Sequence, residues 1–286
     1  MPPATSNPHT RYVSHAVPNA PNSLALFKER KHTVHVTHSR STERAGRDLR
    51  TRSDGLQRRQ PSADPGLGWR PTTVASKVLD MGAAAMQSLL PVKQARQHAC
   101  TFALYAHDPR RQVETHHYAS RLNQDFLQCA VYDSDGAGAR LVGVEYVVSR
   151  GVFASLPAEE QRLWHSHAHE VRAGLWACPH VPAVLERPEL ERMADTFGKF
   201  WCTWQVDRGD RLPLGAPALM VSPQADPAAT VRPDLVRKRD DRYGFSTEEL
   251  CASRADVEAP AEEHPGQADW WLRHRKGFAI DTSRTR

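Results

Sequence analysis

The chain has 286 residues, enough for one large domain or two small ones, with 40% hydrophobic residues, 21 prolines and a formal net charge of +5. The basic charge lies in residues 1–73, where 12 lysines and arginines stand against 5 acids, so that this segment carries +7 and the rest of the chain −2. A slightly acidic body argues against a fold that binds nucleic acid specifically, and the lack of a run of about 18 apolar residues excludes a transmembrane helix.

Residues 1–73 show no sustained hydrophobic period. Residues 41–68 are rich in charged residues, serine and glycine, and such a composition cannot bury enough apolar surface to offset the entropy of ordering the chain. The sequence therefore predicts a disordered, basic N-terminal tail over residues 1–73. Two other roles stay open for it, a mitochondrial targeting peptide and an arm that contacts anionic lipid or nucleic acid.

The first half of residues 74–258 predicts one helix followed by a meander of strands. Apolar residues at helical spacing in residues 72–93 predict a helix that ends at Pro91. Residues 98–108 and 111–120 have strand character. The clearest hairpin joins residues 126–133 to 139–149 across a glycine-containing turn.

The second half alternates helices and strands. Residues 155–167 and 187–199 predict helices, residues 170–179 and 199–207 predict strands, and residues 232–250 predict one or two short helices. Because the strands follow one another along the chain and the helices lie between them, we expect an α+β domain over residues 74–258. Its sheet should be mostly antiparallel, with packed helices. Residues 259–286 lose this periodicity and predict a C-terminal tail that docks through Trp270 and Trp271.

Cysteine usage and the missing motifs restrict the class of protein. The five cysteines are scattered and form no CxxC pair, which is typical of reduced thiols in a cytoplasmic protein. The sequence also lacks the GxSxG, P-loop and GxGxxG patterns of common hydrolases and nucleotide-binding folds.

Histidines in two segments are the strongest chemical signal. His165, His167 and His169 alternate directly before Glu170, and His116 and His117 lie two and three residues after Glu114. On a strand the three alternating histidines would share one face. The preceding residues have helical character, however, so we expect the end of a helix, where protonated histidines interact favourably with the helix dipole.

A metal site is the alternative interpretation of these histidines. Imidazole nitrogens and carboxylate oxygens are ligands that zinc and iron accept, and an open coordination position would activate water. The candidate ligands are His107, His116, His117, His165, His167 and Glu170, with Glu114 as a further carboxylate. No HExxH motif orders them, and hydrogen-bonded histidines in the core are the competing interpretation.

Six sequence blocks carry a family resemblance. They are residues 77–94, 102–135, 139–149, 163–175, 204–220 and 232–249. In this order they resemble the oil body-associated protein family of plant seeds, over residues 74 to 249. The sequence departs from the family pattern at Ala119, where a cysteine is usual, and at His169, where an aromatic residue is expected. His169 is therefore predicted to lie outside any shared site.

The resemblance implies a soluble protein without an established enzymatic activity. Its expected partner is a lipid-droplet or membrane surface, to which it binds peripherally, and its expected role concerns the size or stability of the droplets. The alternative function is a metal-dependent enzyme, with zinc or iron bound by the histidines, whose reaction the sequence does not specify. A third hypothesis is a cytosolic structural or interaction protein, with droplet association confined to its relatives in seeds.

Overall fold

A computed structural model describes residues 12–16, 70–258 and 260–280. Most of the predicted disordered tail over residues 1–73 lies outside the described residues. Within that tail, Tyr12–Ala16 forms a strand.

Nine strands and nine α-helices are present in the described part of the chain. The strands are β1 (Tyr12–Ala16), β2 (Gln97–Tyr105), β3 (Asp108–Asn123), β4 (Phe126–Tyr132), β5 (Leu141–Ser149), β6 (His165–Ser166), β7 (Thr196–Cys202), β8 (Ala218–Val221) and β9 (Lys276–Ile280). The helices are α1 (Val74–Met86), α2 (Leu90–Lys93), α3 (Arg150–Ala154), α4 (Ala158–Gln161), α5 (Ala168–Arg172), α6 (Ala183–Met193), α7 (Pro233–Tyr243), α8 (Thr247–Ser253) and α9 (Trp270–His274). A 3-10 turn covers Val206–Arg208.

Six of the strands close into a ring. The order β2-β3-β4-β5-β7-β8 is antiparallel throughout, and β8 also pairs with β2. Met220 on β8 marks the closure, because it pairs with Phe200 of β7 on one side and with Tyr105 of β2 on the other. The predicted α+β class with a mostly antiparallel sheet is confirmed. The closure of the sheet was not predicted.

The alternation of side chains along the strands separates two layers of core. The main core cluster contains Leu127, Cys129 and Val131 at alternate positions of β4, with Val147 of β5, which places them inside the closed sheet. A second cluster on the outer surface includes Phe197, Trp164 and Trp271. In this second cluster, the residues that follow β5 pack against the C-terminal segment.

The β4–β5 hairpin agrees with the sequence prediction. The two strands pair from Phe126 with Val148 to Tyr132 with Leu141, and the turn between them contains Gly136 and Gly138.

The C-terminal segment differs from the predicted tail. Residues 260–280 contain α9 and β9, and the strand β9 pairs with both β8 and β1. Of the two tryptophans predicted to dock this segment, Trp271 is buried. Ala268 and Asp269, which precede it, are buried as well. The sequence missed this because a five-residue helix and a five-residue strand are too short to show a period.

The strand predicted over residues 170–179 is wrong. Helix α5 occupies the first part of this range, and only Ala177 makes a strand-like bridge, with Cys100 of β2. Five residues give less than two turns, so the helical period was too short to be recognised.

Candidate functional site

The segment with the three histidines starts with the short strand β6 and continues into helix α5. His165 pairs with Gly198 of β7, and the His167 N–H donates to the Thr196 carbonyl oxygen at 3.2 Å. His167 then precedes the first residue of α5. The prediction of a helix C-terminus is wrong, because pairing with β7 fixes His165 and Ser166 in a strand, and the helical pattern before them ends at α4.

Glu145 lies at the centre of a buried cluster of histidines. One carboxylate oxygen, Oε1, lies 3.1 Å from His165 Nε2 and 3.6 Å from His167 Nε2. The other, Oε2, lies 2.8 Å from His117 Nδ1. Each of these four side chains is at most 3% exposed. Strand β3, strand β6 and the residue before α5 thus each direct one imidazole at the carboxylate on β5.

The charges in this cluster stabilise one another. Burial by itself would raise the pKa of Glu145, but the charge of His117 and the contacts with the three imidazoles outweigh it and hold this pKa well below its usual range. Burial by itself would lower the pKa of His165, and its contact with Glu145 reverses the direction, so the pKa of His165 is raised. The Glu145 carboxyl is therefore ionised.

Gly198 leaves room at the point where the donor atoms converge. A Cβ atom at Gly198 would lie 2.3 Å from Glu145 Oε1 and 2.6 Å from both His165 Nε2 and His167 Nε2. These separations are far shorter than van der Waals contact. A side chain at position 198 is incompatible with the cluster.

The contacts of Thr196 determine the tautomer of neutral His167. The hydroxyl of Thr196 donates its single hydrogen to the carbonyl oxygen of Met193 at 2.7 Å, so it accepts from His167 Nδ1 at 2.9 Å. In neutral His167 the proton therefore sits on Nδ1, and the Nε2 lone pair points towards Glu145.

Glu170 forms the next layer of the cluster. Its carboxylate accepts hydrogen bonds from Thr101 Oγ1 and Ser222 Oγ, each at 2.7 Å, and lies 3.7 Å from His167 Nε2. In the part of the chain that the structure describes, neither Glu145 nor Glu170 has a lysine or arginine partner.

Several polar atoms of this cluster lack a hydrogen bond of normal geometry. They are His117 Nδ1, Glu145 Oε2, His165 Nδ1 and His167 Nε2. A cavity of about 10 Å³ lies beside them, with Trp176 and Phe200 among its walls, and it has room for about one water molecule or ion.

The remaining candidate residues lie elsewhere. His116 is on the opposite face of β3 from His117, and its Nε2 contacts Glu114 at 3.1 Å while its Nδ1 contacts His98 at the same distance. Glu114 is paired with Arg242. Although burial opposes the shift, His116 and Arg242 lower the pKa of Glu114 to about 2. This second group is already neutralised by an arginine.

His107 and His169 also lie outside the cluster. His107 is in the turn between β2 and β3, with its ring 5.7 Å from that of Tyr105. His169 is in α5 and is half-buried. Neither belongs to a group of potential metal ligands among the described residues.

Sequence reasoning missed Glu145 and Gly198, the central residues. The available signal was the position of Glu145 between Gly143 and Val147, on the face of β5 that the alternation assigns to the core. A lone charged residue at a core position needs a partner, and the sequence does not indicate which strands supply it.

A larger cavity borders the cluster at His117. It measures about 370 Å³ and lies between α6 and the strands β2 to β5, and His117 and Trp176 line both this cavity and the small one. Its size falls in the range of small-molecule pockets. A small molecule in this cavity would therefore contact His117 of the cluster.

A different surface feature lies at residues 74–92. No residue of α1 or α2 is buried. The exposed apolar side chains are Val74, Val78, Leu79, Met81, Met86, Leu89, Leu90 and Val92. Among the described residues, no helix combines the length and the apolar composition needed to cross a membrane.

Comparison with known proteins gives a consistent family. Residues 89–258 match a protein family described as a protein of unknown function, DUF1264. The chain is 84% identical over 219 residues to oil body-associated protein 2A of Zea mays, covering 77% of this chain and 86% of that protein. It is 54% identical over 215 residues to oil body-associated protein 2A of Arabidopsis thaliana (75% and 87%) and 40% identical over 199 residues to oil body-associated protein 1B of Arabidopsis thaliana (70% and 82%). No solved structure is significantly similar to this chain. The chain therefore belongs to the oil body-associated protein family.

Proposed function

We propose that this protein binds the surface of oil bodies from the aqueous side, through α1 and α2, and thereby influences the size or stability of the droplets. The observation that carries the proposal is the exposure of every large apolar side chain of the segment 74–92. The names of the relatives supply the kind of surface.

Helix α1 has the amphipathic pattern of a helix that lies in a lipid interface. Projected on the helix, Val74, Val78 and Met81 form one stripe, and its polar residues Ser76, Lys77 and Asp80 cluster on the other side. Fully burying one such apolar side chain is worth about 1.5–3 kcal/mol. Since the folded domain buries none of them, a lipid monolayer is the environment in which this free energy is gained.

Two further features extend this surface. Arg70, Lys77, Lys93 and Arg96 flank or lie within the segment, against the single acid Asp80, and an anionic lipid surface attracts such a basic segment. A groove of about 700 Å³ continues the surface from α2 over the outer face of β3 to β5, where Val144 and Tyr146 are exposed.

The first prediction concerns this apolar segment. Replacing Leu79, Met86 and Leu90 together by serine should lower the partition of the protein onto artificial droplets at least about tenfold, because tenfold corresponds to only about 1.4 kcal/mol. The measurement is flotation with triacylglycerol droplets coated with neutral or partly anionic phospholipid, followed by the growth of droplet diameter by light scattering.

A matched control replaces Val184, Leu185 and Leu214 by serine, three side chains that are equally exposed but lie outside the segment. This variant should float like the wild type. Equal flotation of both variants would contradict the proposal. Removal of residues 1–69 measures separately how much the basic tail contributes on anionic droplets.

A further inference from the structure

We infer that Glu145, His165 and His167 bind one divalent transition-metal ion above Gly198, with His117 holding the second oxygen of Glu145. This site is independent of attachment to a lipid surface. The inference rests on the positions of the donor atoms, on the charges of the buried groups and on the hydrogen bonds that orient the imidazoles.

The donor atoms already surround a single point. One ligand atom from each of Glu145, His165 and His167 lies within 4.8 Å of the other two. The point that a Cβ at Gly198 would occupy is 2.3 to 2.6 Å from all three. Bonds from zinc to imidazole nitrogen or carboxylate oxygen are about 2.0–2.2 Å long. The ion cannot lie at that point itself, which is one C–C bond from Gly198 Cα; it would lie farther from the Gly198 backbone, between the three donor atoms, after a small adjustment of their side chains.

The charges of the cluster favour a cation. Glu145 and Glu170 are both buried, at 2% and 1% exposure, and their contacts are with imidazoles and hydroxyls. A cation held by Glu145 Oε1 and His167 Nε2 would also lie close to the Glu170 carboxyl group. The second histidine group provides a contrast, because there Arg242 pairs with Glu114.

The hydrogen bonds present His167 in the form that binds metals. With its proton on Nδ1 and donated to Thr196, neutral His167 has a free lone pair on Nε2, which lies 3.6 Å from Glu145 Oε1. Metal-binding histidines in proteins are commonly oriented by such a partner on the other ring nitrogen. Without a cation, this lone pair faces two carboxylate oxygens at 3.6 and 3.7 Å.

The set of ligands selects the class of metal. Two imidazoles and one carboxylate are typical of zinc, iron(II) and related ions, whereas magnesium and calcium prefer oxygen ligands. Cys129 lies close to His117 and Glu145, but burial and the nearby Glu145 raise the pKa of its thiol. Three protein ligands leave coordination positions open.

The test measures metal uptake by the purified full-length protein. After removal of metals by a chelator, the protein is dialysed separately against Zn²⁺, Mn²⁺ and, without oxygen, Fe²⁺, and bound metal is determined by elemental analysis. We expect one ion per chain and a rise in the melting temperature when the ion is present. Glu145→Gln and Gly198→Ala should each lower the affinity at least about 100-fold, and Thr196→Val about 10–100-fold.

Two controls separate this site from other histidines. His116→Gln changes a buried histidine next to His117 on the opposite face of β3, and it should bind metal like the wild type. A variant with His32, His35 and His38 replaced by glutamine tests weak uptake by the N-terminal segment and should also retain the ion. If Glu145→Gln or Gly198→Ala fails to fold by circular dichroism, His165→Gln carries the same comparison.

Failure of the folded wild-type protein to take up any of the three ions would overturn the inference. Unchanged uptake by folded Glu145→Gln or His165→Gln would overturn it as well. In either case the cluster would be a structural network of contacts between Glu145 and the imidazoles around it.

Discussion

At the scale of single residues, two buried charges show how this protein compensates the loss of hydration. Glu145 is surrounded by imidazoles, as described above. Arg239 of α7 is fully buried, and its guanidinium donates to the Leu175 carbonyl oxygen at 2.5 Å and to Thr247 Oγ1 at 2.6 Å. It also pairs with Asp240 at 2.9 Å. Arg239 therefore connects α7 to α8 and to the loop after α5.

Replacing Arg239 by methionine should be strongly destabilising. The substitution keeps an apolar stem but removes the donors to the Leu175 carbonyl oxygen and to Oδ1 of Asp240. Removing one member of a buried ionic group costs about 3–5 kcal/mol. Urea unfolding measures the loss. Arg237→Met, an exposed position on the same helix, should change the free energy of unfolding by less than about 0.5 kcal/mol. Similar values for the two variants would contradict this assignment.

At the scale of elements, the C-terminal segment is fixed by one buried carboxylate. Asp269, directly before α9, accepts hydrogen bonds from the Ser166 N–H at 3.1 Å and from His264 Nδ1 at 2.7 Å. Its own N–H donates to the Trp164 carbonyl oxygen at 3.0 Å. The helix α9 is thus tied to the strand that carries His165.

The pair of His264 and Asp269 predicts a dependence of stability on pH. The hydrogen bond to Asp269 raises the pKa of His264, against the opposing effect of burial. A raised pKa in the folded state stabilises the protein fully below the unfolded value of about 6.5, and this stabilisation is lost as the pH rises through the folded value.

Urea unfolding from pH 5.5 to 9 checks this dependence. The wild type should exceed His264→Gln in stability at the acid end, and the difference should shrink towards the alkaline end. Glu263 and Arg273, the charged groups that also act on His264, are present in both proteins. Parallel curves for the two proteins would show that this pair does not contribute.

At the scale of the whole molecule, the C-terminal segment completes the outer core of the closed sheet. Trp271 is 3% exposed and packs in the cluster that contains Phe197 and Leu219 of the ring strands. Trp270 beside it is only partly buried. The folded unit therefore extends through residue 280 and does not end at residue 258.

Trp271→Ala should destabilise the entire domain. Loss of a buried tryptophan costs about 3–5 kcal/mol, and the unfolding transition should remain a single one because the cluster spans several elements. Trp270→Ala should lower the free energy of unfolding by less than half of the loss caused by Trp271→Ala. Thermal unfolding followed by circular dichroism distinguishes this outcome from local fraying, in which Trp271→Ala would leave the main transition unchanged.

The sequence alone determined the class of the fold, the strand β2, the β4–β5 hairpin, the presence of the helices α1 and α7, and the family. The predicted end of the first helix at Pro91 is wrong, because α1 ends at Met86 and Pro91 starts the separate helix α2. The features that the sequence determined are local or occur as matching blocks, because hydrophobic period and turn residues are properties of neighbouring positions. The candidate ligands His117, His165, His167 and Glu170 were also identified from the sequence, since the residue types themselves carry the chemistry.

Only the tertiary structure decided which of these residues meet. Pairing of β7 with both β5 and β6 places Gly198 opposite Val147 and His165, and this brings Glu145 among the histidines from positions far apart in the chain. The same folding separates His107 and His116 from the cluster. Strand pairing and closure of the sheet are long-range events, and no period within a single segment records them.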